Sequence, residues 1–149
     1  MEMNDDKSKK LLNSALDDES NESLLSLSSG KIKEMNLSVI SELQLNKKEI
    51  TEIMIKLSEY KYVDEMDDLK YGSYIRWIKL NDLDDLTLTK GAIFLDVKIT
   101  DKGVNLICKN HGYLGKRFTI KMDECLIFRK MTNQELVLLS ALDHLYLKN

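Results

Sequence analysis

Between Cys108 and Lys130 the chain places six cations, Lys109, Lys116, Arg117, Lys121, Arg129 and Lys130, against two acids, Asp123 and Glu124, and interleaves His111 and Tyr113. Cations along a strand can neutralise phosphates, and a tyrosine ring can stack on a base of any identity. Together these residue types suit a surface for single-stranded nucleic acid. Lys109, Tyr113, Lys116, Arg117, Lys121, Arg129 and Lys130 are therefore the candidate contact residues. The competing reading is that Arg117, Thr119 and Lys121 are simply the solvent positions of a half-buried strand. The whole chain is acidic, with a net charge of −3, which also weighs against nucleic acid.

No other constellation points to a reaction. His111 sits in a glycine-flanked loop and His144 on the polar side of the last helix, and neither has a Ser or Cys nucleophile beside it in sequence. Cys108 and Cys125 lack paired C-x-x-C spacing and histidine partners, so they read as buried free thiols in a reducing compartment rather than as zinc ligands. The run Asp64-Glu65-Met66-Asp67-Asp68 has neither the glycine nor the regular oxygen spacing of a calcium loop, and reads as a solvated connector. Asp82, Asp84 and Asp85 read as loop acids. Phosphate-binding loops, dinucleotide fingerprints and the H-E-x-x-H pattern do not occur. The expectation is a non-enzymatic binding module without metal or cofactor.

The elements that must position the basic residues follow from periodicity. From Tyr71 onward apolar residues recur every second position: Tyr74 to Leu80, Ile93 to Ile99, Val104 to Cys108, Phe118 to Met122, and Leu126 to Phe128. Asp101-Lys102-Gly103 joins the second and third of these as a tight hairpin. Trp77 is expected on the core face with Ile75, and Arg76 on the opposite face. Thr132-Asn133-Gln134-Glu135 is a capping box, and the helix it starts, running to about Leu147, is apolar over more than half its circumference. Five short strands and a closing helix predict an α+β fold, a small five-stranded antiparallel barrel-like sheet of the SH3-like or Sm-like kind with N-terminal helices and a C-terminal capping helix. An open meander with the helix on one face is the competing arrangement.

Charge and composition divide the chain into three regions. Residues 1–30 carry seven acids against three lysines and no aromatic residue, and read as a disordered acidic tail. Its clusters Leu11-Leu12 and Leu24-Leu25-x-Leu27 are candidate docking motifs. Residues 31–70 read as a helical segment with an acidic connector. One helix is expected over Lys31 to Leu45, and a second starts at Asn46 as cap with Glu49 at N3. Residues 71–149, with nine acids against twelve cations, form the expected barrel-like domain. No apolar run reaches the roughly 20 residues that span a bilayer, and residues 1–30 lack the apolar stretch of a signal peptide. An intracellular protein with no membrane contact is expected.

The run Tyr71-Gly72-Ser73-Tyr74-Ile75-Arg76-Trp77-Ile78, the segment Leu88-x-x-Gly91, and the ending Leu126-Ile127-Phe128-Arg129-Lys130-Met131-Thr132 with Glu135 and Leu142-Asp143-His144-Leu145 resemble a family of small proteins of nucleocytoplasmic large DNA viruses. The resemblance covers residues 71–147 and rests on spaced aromatics and glycines. It implies a viral protein in the host cytoplasm or the virion, and implies no activity and no site residue. An alternative to nucleic-acid binding is a protein–protein interaction module or virion scaffold component, using the apolar face of the last helix and the acidic tail. Homo-oligomerisation through that helix belongs to the same alternative.

Overall fold

The computed structural model describes Lys10, residues 28–112 and residues 114–147. The expectations for residues 1–9 and 11–27, both leucine clusters included, and for Tyr113 lie outside the described residues.

Asn46 starts the better capped of the two N-terminal helices. Its Oδ1 accepts the Glu49 N–H at 2.8 Å, and helix α2 runs Lys47–Lys56. Helix α1, Ser29–Ser41, stops short of the expected Leu45, and the chain leaves it through Gln44 in a left-handed conformation with φ 58°. Strand β1, Tyr60–Tyr62, and a 3-10 turn, Met66–Asp68, come next. The strands β2 Tyr74–Lys79, β3 Ala92–Thr100, β4 Gly103–Lys109, β5 Arg117–Lys121 and β6 Cys125–Lys130 then follow, with a 3-10 turn at Met122–Glu124 between the last two. Helix α3, Asn133–Leu147, ends the described chain.

The strands form one antiparallel sheet in the order β1-β6-β2-β3-β4-β5. This corrects two expectations. The sheet has six strands, not five, because Tyr60–Tyr62, within the segment expected to hold helices and an acidic connector, is a strand. Its partner is β6, with Tyr60 opposite Lys130 and Tyr62 opposite Phe128, and no local pattern reveals a partner so distant in sequence. The sheet is also not closed into a barrel, since the ladder ends at β1 on one side and at β5 on the other.

It nevertheless curls. A register shift between Phe94 and Asp96 bends β3, as an extra residue in one strand of a pair does. The bend brings β5 over β2, so that the rings of Trp77 and Phe118 lie 5.8 Å apart on the concave face. That face buries Ile75, Trp77, Ala92, Phe94, Leu106, Cys108, Ile120 and Ile127, which places Trp77 beside Ile75 as its alternation predicts. Each fully buried aliphatic side chain there contributes about 1.5–3 kcal/mol. On the convex face Ile40 of α1 and Ile53 and Leu57 at α2 cover Tyr60, Ile78 and Phe128 of β1, β2 and β6. Gly91 makes a tight approach behind β2: at φ 102° a Cβ would lie 2.6 Å from the Ile75 carbonyl and from the Tyr74 ring.

Residues 36–130 constitute one compact unit, and the described residues up to Met35 with those from Met131 onward constitute another. In the second unit the capping box forms as expected. The Thr132 N–H donates to Glu135 Oε1 at 2.9 Å, and the Glu135 N–H donates to Thr132 Oγ1 at 3.2 Å. Ile32, Met131, Leu138 and Leu139 are buried together, and the Ser29 N–H donates to Asp143 Oδ1 at 3.0 Å. No described helix is long and apolar enough to cross a membrane.

Candidate binding surface and open sheet edge

The convex face of β3, β4 and β5 carries no helix in the 36–130 unit, and its side chains follow from the register. One row across it is Ile93, Lys109 and Arg117, and another is Lys98, Asn105 and Lys121. Lys116, in the loop before β5, is exposed beside Arg117. The structure thus gathers Lys109, Lys116, Arg117 and Lys121, and adds Lys98, which lies outside the 108–130 window. Lys98 was identifiable from the Asp101-Lys102-Gly103 hairpin, which sets β3 against β4 and turns Lys98 outward with Asn105. Acids also stand there: Asp96 lies on the same face of β3, and the Glu124 carboxylate lies 3.9 Å from Lys121 Nζ.

Two candidates fall elsewhere. Arg129 is 3% exposed on the concave side of β6, opposite Ile75 of β2 and Lys61 of β1, and its Nη1 lies 3.5 Å from the Lys130 carbonyl. Lys130 is exposed, but it pairs with Tyr60 at the far end of the strand order from β5. Tyr113 lies outside the described residues, so no ring there is assigned to the surface. Two described aromatics stand near: His111 meets Tyr74 edge-on with ring centroids 6.5 Å apart, and the Tyr74 hydroxyl donates to the Lys90 carbonyl at 2.8 Å.

Lys109 and Arg117 face each other directly across the β4–β5 ladder. The Asn110 N–H donates to the Lys116 carbonyl at 3.0 Å, extending that ladder by one pair. In an antiparallel ladder hydrogen-bonded pairs recur at every second residue. Phe118 and Ile120 therefore turn their N–H and C=O groups toward β4, whereas Arg117 and Thr119 turn both of theirs, and Lys121 its N–H, toward the open side; the Lys121 carbonyl starts the 3-10 turn Met122–Glu124. Lys109 and Arg117 form a non-hydrogen-bonded pair, the closer of the two spacings, where like charges oppose folding.

Beside that open side lies a cleft of about 270 Å³, with Phe118, Thr119, Ile120 and Lys121 of β5 along one wall. Trp77, Lys79, Asn81, Glu124 and Cys125 line the rest. Trp77 is 5% exposed, and its Nε1–H has no acceptor among the described residues.

The other edge is finished differently. The Val63 N–H donates to the Ile127 carbonyl at 2.8 Å, so the same alternation turns Tyr60 and Tyr62 outward from β6. The buried side chain of Asn36 meets both: its Nδ2 donates to the Tyr60 carbonyl and its Oδ1 accepts the Tyr62 N–H, each at 2.9 Å. One amide stands in for a neighbouring strand.

The remaining reactive groups are held quiet. Burial, with a smaller contribution from Cys125, pushes the Cys108 thiol up to about 11, so it is protonated at neutral pH and is a poor nucleophile. Burial also raises Cys125. The Asp84 N–H donates to Asp82 Oδ1 at 3.1 Å and Thr87 Oγ1 contacts Asp85 Oδ1 at 3.4 Å, so these acids organise their own loop. Among the described residues, no group of three or more His, Cys, Asp or Glu side chains is placed to hold a metal ion. Protein-family models, curated proteins and solved structures yield no match to this chain.

Proposed function

We propose that this protein is a non-enzymatic binding module whose convex β3–β5 surface contacts the phosphates of single-stranded nucleic acid. The observation that carries this reading is the cross-strand pair Lys109 and Arg117, with Lys98, Lys116 and Lys121 around it, on a face that no helix covers within the 36–130 unit. Like charges directly opposite one another cost stability in the free protein, and a bound anion removes that cost. The resemblance of residues 71–147 makes a viral protein part of the same reading.

The test is fluorescence anisotropy with labelled single-stranded DNA and RNA from low to physiological salt. Loss of one phosphate contact lowers the log–log salt slope by about 0.7 for a single strand. Lys109→Ala, Arg117→Ala and Lys121→Ala are each expected to show that reduction, and Lys130→Ala, which lies off the surface, to match wild type. Equal binding by all four variants, or no binding at low salt, would remove the reading.

A protein partner is the second reading, and the open edge of β5 favours it.

A further inference from the structure

We propose that the free edge of β5 takes up an extended acidic segment of a protein partner as a seventh strand of the sheet. The backbone N–H and C=O groups of Arg117 and Thr119 and the N–H of Lys121 point away from β4 and meet no strand among the described residues, whereas the Lys121 carbonyl starts the 3-10 turn Met122–Glu124. An unpaired edge of this kind is a template for strand addition. The opposite edge is largely taken, because Asn36 meets the Tyr60 carbonyl and the Tyr62 N–H and the Leu57 carbonyl accepts the Tyr60 N–H.

Three features define the incoming segment. Arg117 and Lys121 flank the edge on the convex side and Lys79 lies across the cleft, against Glu124 alone, so the complementary charge is negative. On the concave side the wall is Phe118, Ile120 and Trp77, which suits apolar residues at alternate positions of the added strand. The Trp77 Nε1–H, buried and without an acceptor, favours a side chain that brings an oxygen to that wall. A second copy of this chain fits poorly. Antiparallel pairing of two β5 edges about Thr119 sets Arg117 of one against Lys121 of the other, a like-charge contact at each end.

Trp77 is the only tryptophan in the chain, so its fluorescence reports directly on the cleft. The probe is a capped peptide of alternating Glu and Val about eight residues long, titrated into the full-length protein. A saturable change in Trp77 emission is expected, with new hydrogen-exchange protection at the Thr119 and Lys121 amides. The Phe118 and Ile120 amides, already bonded to β4, should be protected before and after. Thr119→Pro removes an edge donor without removing a β4–β5 bond, and is expected to weaken the peptide at least tenfold. A matched Lys/Val peptide is expected to bind at least tenfold more weakly than Glu/Val.

Saturable binding without protection at Thr119 and Lys121, or equal binding of the two peptides, would overturn the proposal. So would concentration-dependent protection without peptide, which marks pairing between copies. The nucleic-acid reading fails separately. An oligothymidylate that perturbs Lys98 and Lys109 but leaves the Thr119 amide unprotected supports the convex surface and leaves the edge to the peptide. Oligothymidylate protecting Thr119 and displacing the peptide would overturn the edge proposal alone.

Discussion

At the β1 edge a single buried amide takes the Tyr60 carbonyl and the Tyr62 N–H, and the Tyr60 N–H donates to the Leu57 carbonyl, whereas at the β5 edge Arg117, Thr119 and Lys121 have no strand beside them among the described residues. The short edge is sealed by structure. The longer edge is guarded by charge, the other means by which sheets avoid pairing with their own kind. A seal excludes every partner equally, whereas a charge excludes only like charge. The contrast therefore locates the side of the sheet on which selective recognition can occur.

The largest expected effect in this comparison is at Trp77, which underlies the open edge. Trp77→Ala should lower unfolding stability by about 3–5 kcal/mol in urea titration, as loss of a buried aromatic does. A loss under about 1 kcal/mol would mean that the concave wall beneath β5 is not part of the core.

Asn36→Leu tests the sealed edge. Removing the amide leaves the Tyr60 carbonyl and the Tyr62 N–H buried without their partner, and unmet groups of this kind cost about 1–3 kcal/mol each. A destabilisation of about 2–4 kcal/mol is expected, with hydrogen exchange quickening at Tyr62 and not at Phe118. Unchanged exchange at Tyr62 would show that the edge is sealed by something other than Asn36.

Alkaline titration separates the two halves by a smaller effect. Cys108, on β4 next to the open strand, ionises at about 11 in the folded chain against 9.0 for a free thiol, because burial disfavours the thiolate. Between those values the folded state holds the proton more tightly than the unfolded state. Its contribution is complete below pH 9 and is lost as pH rises toward 11, at most about 2–3 kcal/mol. Burial raises Tyr60 and Tyr62 on β1 as well, with the same sign. Burial raises Cys125 of β6 in the same sense, so Cys108→Ala should flatten the alkaline loss only in part, and a fully flat profile would deny Cys125 and the β1 tyrosines any share.

The smallest effect is expected from Thr119→Pro in the free protein. Its N–H points away from β4, so the change should cost less than about 1 kcal/mol, within the range of surface substitutions. A loss of several kcal/mol would reverse the assignment of which β5 residues face the open side.

Much of the fold was legible where the chain makes local contacts. The Asn46 cap, the Thr132–Glu135 capping box, the Asp101-Lys102 hairpin and the placement of Trp77 with Ile75 all follow from neighbours within a few residues. What was not legible depends on distant pairing. Tyr60–Tyr62 becomes a strand only because β6 lies beside it, and Asn36 has no signal as an edge seal until β1 is in place. The basic window shows the same division. Lys109, Arg117 and Lys121 share a face through one hairpin, while Arg129 and Lys130 are carried off by pairing with β1 and β2.

The insertion of β6 between β1 and β2 also sets the order of assembly on the ribosome. The meander β3-β4-β5 can pair as it emerges, strand upon neighbouring strand. Tyr60–Tyr62 has to wait for a partner synthesised roughly 70 residues later, about 4–14 s at roughly 5–20 residues per second. During that interval Asn36 can occupy one side of β1 but nothing occupies the other. The nascent chain thus carries an unpaired flank at Tyr60–Tyr62 that β6 covers in the finished molecule.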